Sequence, residues 1–156
     1  GYDGSPLAHT MNTDNNYMKV NGELASEFVI NSYLAANYGV PVVFLSGDKM
    51  LCETAKKFNK NIETVAVKEG AGGATISINP ELSCELIREG VKNALKHISA
   101  CKIDIPEKFD VEINYKEHTD AKKASYFPGV TQTGTHTVAY TANNIDEFSI
   151  TRMFIL

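Results

Sequence analysis

Two side chains near the start of this sequence have types and surroundings suited to hydrolytic chemistry. His9 stands in "GSPLAHTMN", a loop of small and polar residues just before a strand-like stretch. Glu27 stands in "ELASEFVINSYLAANYGVP", a helical segment that is otherwise almost wholly apolar. An imidazole can take up and release a proton near neutral pH. A carboxylate bordering a buried stripe must be hydrated, paired, protonated or bound to a metal ion. Positions 27, 31, 34 and 38 share one helical face, which puts Asn31 beside Glu27 and in line with Leu34 and Tyr38. Each candidate also has a plainer reading: a lone loop histidine, and a first-turn acid that complements the helix dipole.

Asp48 is a third candidate. It ends the apolar run "VPVVFLSGD", at the carboxyl end of a strand, where α/β sheets place ligand contacts. It is equally placed to cap the helix that follows, and capping is the preferred reading. His97 closes a long helix, where a cation suits the dipole. His118 lies in the charged stretch "YKEHTDAKK", and His136 alternates with threonine in "GTHTVAY", on an exposed strand face. All three read as structural or surface residues. "KEGAGGATIS" is rich in glycine, but β-branched residues follow it instead of a helix N-terminus, so it reads as a turn and not as a phosphate cradle.

The elements that must position these residues follow from local patterning. Tyr17, Met18 and Val20 form a strand running into Asn21-Gly22, a tight-turn pair. A helix runs from about Leu24 to Tyr38, stopped by Gly39 and Pro41. "VPVVFLSGD" reads as a buried parallel strand, and "DKMLCETAKKFN" as a helix. "NIETVAVKEG" and "ATISI" are further strands. Asn79 and Pro80 start a helix as N-cap and first residue, and Leu86, Ile87, Val91, Ala94, Leu95 and Ile98 form its apolar stripe. After the connection "CKIDIPEKF", "FDVEINY" alternates as a half-buried strand, "HTDAKKAS" is helical, "THTVAYTA" is a strand and "NIDEFSITRMFIL" a last helix. This order predicts an α/β fold: a mostly parallel sheet flanked by helices over residues 1–101, a connection at 102–108, and a smaller C-terminal α+β lobe over 109–156. The apolar end "TRMFIL" suits subunit contacts, although a core-facing helix explains it as simply.

Composition bounds the functions available. Of 156 residues, 43% are hydrophobic and 22% charged, an ordinary globular balance. The net charge of −4 offers no general attraction to nucleic acid or to anionic lipid, so neither partner is expected. No apolar run is long enough to span a bilayer, and the first residues lack the pattern of a signal peptide. The three cysteines, Cys52, Cys84 and Cys101, lack the spacing of a thiolate metal site, and unpaired thiols suit a reducing, cytoplasmic setting.

The stretches "SPLAHTMN" and "VNGELASEFVINSYLAANYGVPVVFLSGD", then "VAVKEG", "NPE" and "REGVKNAL", resemble the second half of the zinc-dependent D-aminopeptidases, the DppA-like family of dipeptide-transport operons. The likeness covers residues 4 to 100 well and continues more loosely through "FPGVTQTGTHTVAYTA". It implies a self-compartmentalising, homo-oligomeric hydrolase that removes N-terminal D-amino acids from short peptides with two zinc ions. It implies that His9 is the catalytic histidine and Glu27 a zinc ligand, with Asn31 and Asp48 as supporting or structural residues. The family's other ligands come from an Asp-x-Glu segment, a mid-domain histidine and a histidine in a Gly-Tyr-His segment. This chain contains none of the Asp-x-Glu region, and its "GYDGSP" matches the loop nearer the catalytic histidine instead of the Gly-Tyr-His segment. No ligand role passes to Asp3. The resemblance therefore implies that the chain belongs to a larger protein, needs a missing N-terminal half as partner, and is inactive alone. The rival expectation is a non-catalytic α/β module, used for assembly or ligand binding, that lacks the metal-binding half. A nucleotide-binding domain is disfavoured by the missing phosphate loop.

Overall fold

The computed structural model describes residues 4–156. Asp3, for which no site role was assigned, lies outside them. The described residues divide into two compact units, residues 4–8 with 31–104, and residues 9–30 with 105–156. The sequence pattern predicts a division at 102–108 alone. The structure also groups residues 9–30 with the C-terminal residues, because a strand from the first thirty residues hydrogen-bonds to one beyond residue 105.

The unit that contains His9 and Glu27 is built on a five-stranded sheet in the order β2-β1-β6-β8-β7. Its strands are β1 (Asn15–Val20), β2 (Glu23–Leu24), β6 (Phe109–Tyr115), β7 (Thr131–Gly134) and β8 (Thr137–Ala142). Every pairing in it is antiparallel. Asn21 and Gly22 join β1 to β2 with φ of 53° and 84°, the paired left-handed geometry of a two-residue hairpin turn. That turn also ends the expected helix early at its N-terminal side: Glu23 and Leu24 pair with β1, and α1 starts only at Glu27, running to Asn37. One face of the sheet is apolar by strict alternation, with Met18, Val20, Val111, Ile113, Tyr115, Val138 and Tyr140 buried. Helices α4 (His118–Ala124) and α5 (Ile145–Ile155) pack against it through Ala121, Ala124, Phe148 and Ile155. Phe109 and Phe148 stack with ring centroids 4.9 Å apart at the centre of this core.

The other unit holds a three-stranded sheet, β3 (Phe44–Asp48), β4 (Glu63–Ala71) and β5 (Ala74–Ser77). β3 and β4 are parallel and joined by α2 (Lys49–Phe58); β4 and β5 form a hairpin around Gly72, whose φ is +60°. The glycine-rich stretch is thus a turn, as its β-branched sequel implies. α3 (Pro80–Ala94) packs closely on the strands at Gly90, where a Cβ would lie 2.6 Å from the Phe44 ring.

Two expectations are corrected. The sheet structure is mainly antiparallel; β3–β4 is the parallel pair among the described residues. Short connections join β1 to β2, β4 to β5 and β7 to β8, and a short connection can only reverse the strand. The helix between β2 and β3 misleads, because β1 finds its second neighbour in β6, about ninety residues on. The second correction concerns burial. α3 buries Ala94 and half-buries Ile87, but Leu86, Val91, Leu95 and Ile98 of the expected stripe are exposed. The β3 strand is half-exposed where a buried strand was expected, and among the described residues it pairs on one edge only. No helix among the described residues is long and apolar enough to cross a membrane.

Candidate functional site

Glu27 is the first residue of α1 and its only first-turn acid, the position of the plainer reading. Its carboxylate does more than face a helix dipole. Oε1 accepts a hydrogen bond from the backbone N–H of Met11 at 2.7 Å, sixteen residues back. The structure therefore brings the loop that carries His9 onto the head of the helix that carries Glu27. Met11 sits in the left-handed region with φ of 67°, a conformation that costs a non-glycine residue about 1–3 kcal/mol unless its surroundings hold it. The strain falls two residues from His9, whose side chain is exposed.

The loop is held from its other side by asparagines. The Asn12 side chain donates to the carbonyl of Leu156 at 2.6 Å, fastening the loop to the end of α5. Its Oδ1 accepts from the Asp14 N–H at 2.9 Å, and Asn12 N–H donates to the Thr10 carbonyl at 2.8 Å. Asn15, buried at the start of β1, donates to the Thr10 carbonyl at 2.8 Å and to Asn12 Oδ1 at 2.9 Å. Asn12 and Asn15 were not singled out from the sequence. The signal was present in "MNTDNNY", since clustered Asn and Asp side chains bond to nearby backbone and fix irregular loops.

The other candidates make contacts of their own. Asn31 is exposed on α1, as is Tyr38 just beyond its end, while Val29, Ile30 and Ser32 are buried. The face shared by positions 27, 31, 34 and 38 is therefore the more open side of α1, because a helix apolar nearly all round carries no single stripe to mark its buried side. Asp48 belongs to the other unit and caps α2, accepting from Leu51 N–H at 2.9 Å. His97 lies 3.8 Å from Glu63, just beyond α3. His118 and His136 have ring centroids 6.1 Å apart, and the His136 carbonyl, in the β7–β8 turn, accepts from Tyr115 N–H at 2.8 Å. Cys52, Cys84 and Cys101 are free, and burial pushes the Cys52 and Cys101 thiols up, away from the thiolate needed for nucleophilic or metal chemistry.

A hydrolytic zinc site needs three protein donors and an open position. Among the described residues no group of three His, Cys, Asp or Glu side chains is arranged to hold a metal ion. One oxygen of Glu27 is already engaged by Met11. These residues alone do not fit a zinc ion.

The family model described as D-aminopeptidase matches residues 1–154. The chain belongs to the D-aminopeptidase family. The curated D-aminopeptidase of Bacillus subtilis is 26% identical over 144 residues, which cover 90% of this chain and 53% of that protein. The solved structure of the Zn-dependent D-aminopeptidase DppA from Bacillus subtilis, described as a self-compartmentalizing protease, superposes with a TM-score of 0.87 at 25% identity. The match covers 96% of this chain and 56% of that one. This D-aminopeptidase-family chain thus spans about half the length of the relatives it matches.

Proposed function

We propose that this chain forms part of a zinc-dependent peptidase that releases N-terminal D-amino acids from short peptides. The observation that carries the reading is the junction itself: in a chain of the D-aminopeptidase family, the loop bearing His9 is hydrogen-bonded to the carboxylate of Glu27. His9, on an exposed loop with a braced backbone, is suited to managing a proton at a peptide substrate. Glu27 offers its second oxygen, Oε2, as one ligand. Zinc is the proposed metal because the Bacillus structural relative is Zn-dependent; two ions are proposed, as the sequence resemblance implies. Asp48 is proposed as structural, in keeping with its cap on α2. Asn31 is assigned no contact with the reacting groups.

The remaining donors are proposed to come from a segment equivalent to the half of the relatives that this chain does not span. The half-exposed β3 strand and the exposed apolar residues of α3 support a covering segment of that kind, since parallel strands are normally flanked on both sides. A homo-oligomer is proposed on the likeness to a self-compartmentalizing protease. The test is zinc analysis and hydrolysis of a D-alanyl peptide by the intact gene product. Glu27→Ala is expected to lower both zinc content and activity. His9→Ala is expected to retain zinc and lose turnover. Wild-type zinc and rates from both variants would refute the assigned roles.

A further inference from the structure

We infer that Asn15 is the positioning residue for the His9 loop, acting on catalysis without touching substrate. The inference rests on the proposed peptidase reading and adds a residue to its machinery. Asn15 is 5% exposed, and its Nδ2 amide faces three oxygens: the Thr10 carbonyl at 2.8 Å, Asn12 Oδ1 at 2.9 Å and the Asn12 carbonyl at 3.4 Å. All three are acceptors toward this amide, so only its NH2 end can point at them.

The backbone of Asn15 is the first position of β1 and pairs with Tyr115 of β6, and the register shifts between Asn15 and Tyr17. The residue thus has its main chain in the rigid sheet and its side chain in the loop. Thr10, buried, is the residue after His9, and Asn15 holds its carbonyl. Glu27 holds the Met11 N–H, and Asn12 is tied to Leu156. Consecutive residues 10, 11 and 12 are therefore each fixed by a different element. Asn15 is the one that engages two of them, and it transmits the register of the β1–β6 pair to the loop bearing the imidazole.

The experiment compares Asn15→Asp and Asn15→Ser in the intact gene product. The first keeps the shape but turns a carboxylate toward the acceptors; the second is milder and keeps the protein measurable if the first fails to fold. The expected result is a fall in kcat of about a hundredfold for Asn15→Asp and about tenfold for Asn15→Ser, with KM and bound zinc unchanged. The amide of Asn12 should exchange about tenfold faster in Asn15→Ser, while the amides of β6 stay protected. Unchanged kcat with faster Asn12 exchange would overturn the positioning role, leaving Asn15 as a loop anchor only. Unchanged exchange would overturn the clamp itself. If the wild-type protein does not hydrolyse D-amino peptides, the peptidase reading fails and the catalytic role of Asn15 falls with it; the exchange measurement then still reports on the clamp separately.

Discussion

Replacing Glu27 by Ala is the most direct perturbation of the His9 loop. The variant removes the acceptor of the 2.7 Å bond from Met11 N–H and leaves the helix backbone in place. A hydrogen bond to a charged group is worth about 1.5–3 kcal/mol, and the exposed setting of this one puts it at the low end, about 1.5 kcal/mol. The left-handed strain of Met11 is then no longer opposed by that bond. A change of about 1.4 kcal/mol is a factor of ten in an equilibrium constant, so the open form of the loop should become about tenfold more populated. Amide hydrogen exchange reads this at one proton: Met11 should lose about tenfold in protection. Glu27→Gln, which keeps a neutral acceptor, should lose about half as much free energy. Loss of the first-turn charge also weakens α1 by about 0.3–1 kcal/mol, but that effect appears in the amides of α1 and not at Met11. If Glu27→Ala speeds exchange along α1 while Met11 keeps its protection, the carboxylate serves the helix alone and the link to the loop is refuted.

Three further outcomes test the frame around the site. Phe148→Ala removes a fully buried ring stacked on Phe109 and should destabilise the protein by about 3–5 kcal/mol, read as a lower denaturation midpoint in urea. Asp48→Ala deletes the cap on Leu51 N–H and should cost about 1 kcal/mol by the same measurement, without altering zinc content. Burial raises the phenol pKa of Tyr115 and Tyr140 above their ordinary value of 10, so both stay neutral in the folded state where the unfolded chain would ionise. Their contribution to stability is complete below pH 10 and lost as pH rises from there toward the raised values. Alkaline unfolding should therefore begin above pH 10, and Tyr115→Phe should reduce its steepness; an unchanged slope would show that the phenol is not the group responsible.

Local chemistry determined much of this protein from its sequence. Asn79 with Pro80 opens α3, Asp48 caps α2, Asn21-Gly22 turns a hairpin and "FDVEINY" alternates into β6, because each signal acts between residues a few positions apart. His9 and Glu27 stood out for the same reason: a polar group in apolar or small-residue surroundings is visible without coordinates. What only the tertiary structure decided was pairing across distance. β1 lies beside β6, which makes the larger sheet antiparallel and groups residues 9–30 with residues 105–156. The same pairing sets the main chain of Asn15 in the sheet, while its side-chain bonds to residues 10 and 12 are of the local kind that the run of asparagines signals. Hydrogen-bond partners eighty or more residues apart are chosen by the free energy of the whole packed unit, and short-range propensity carries no record of that choice.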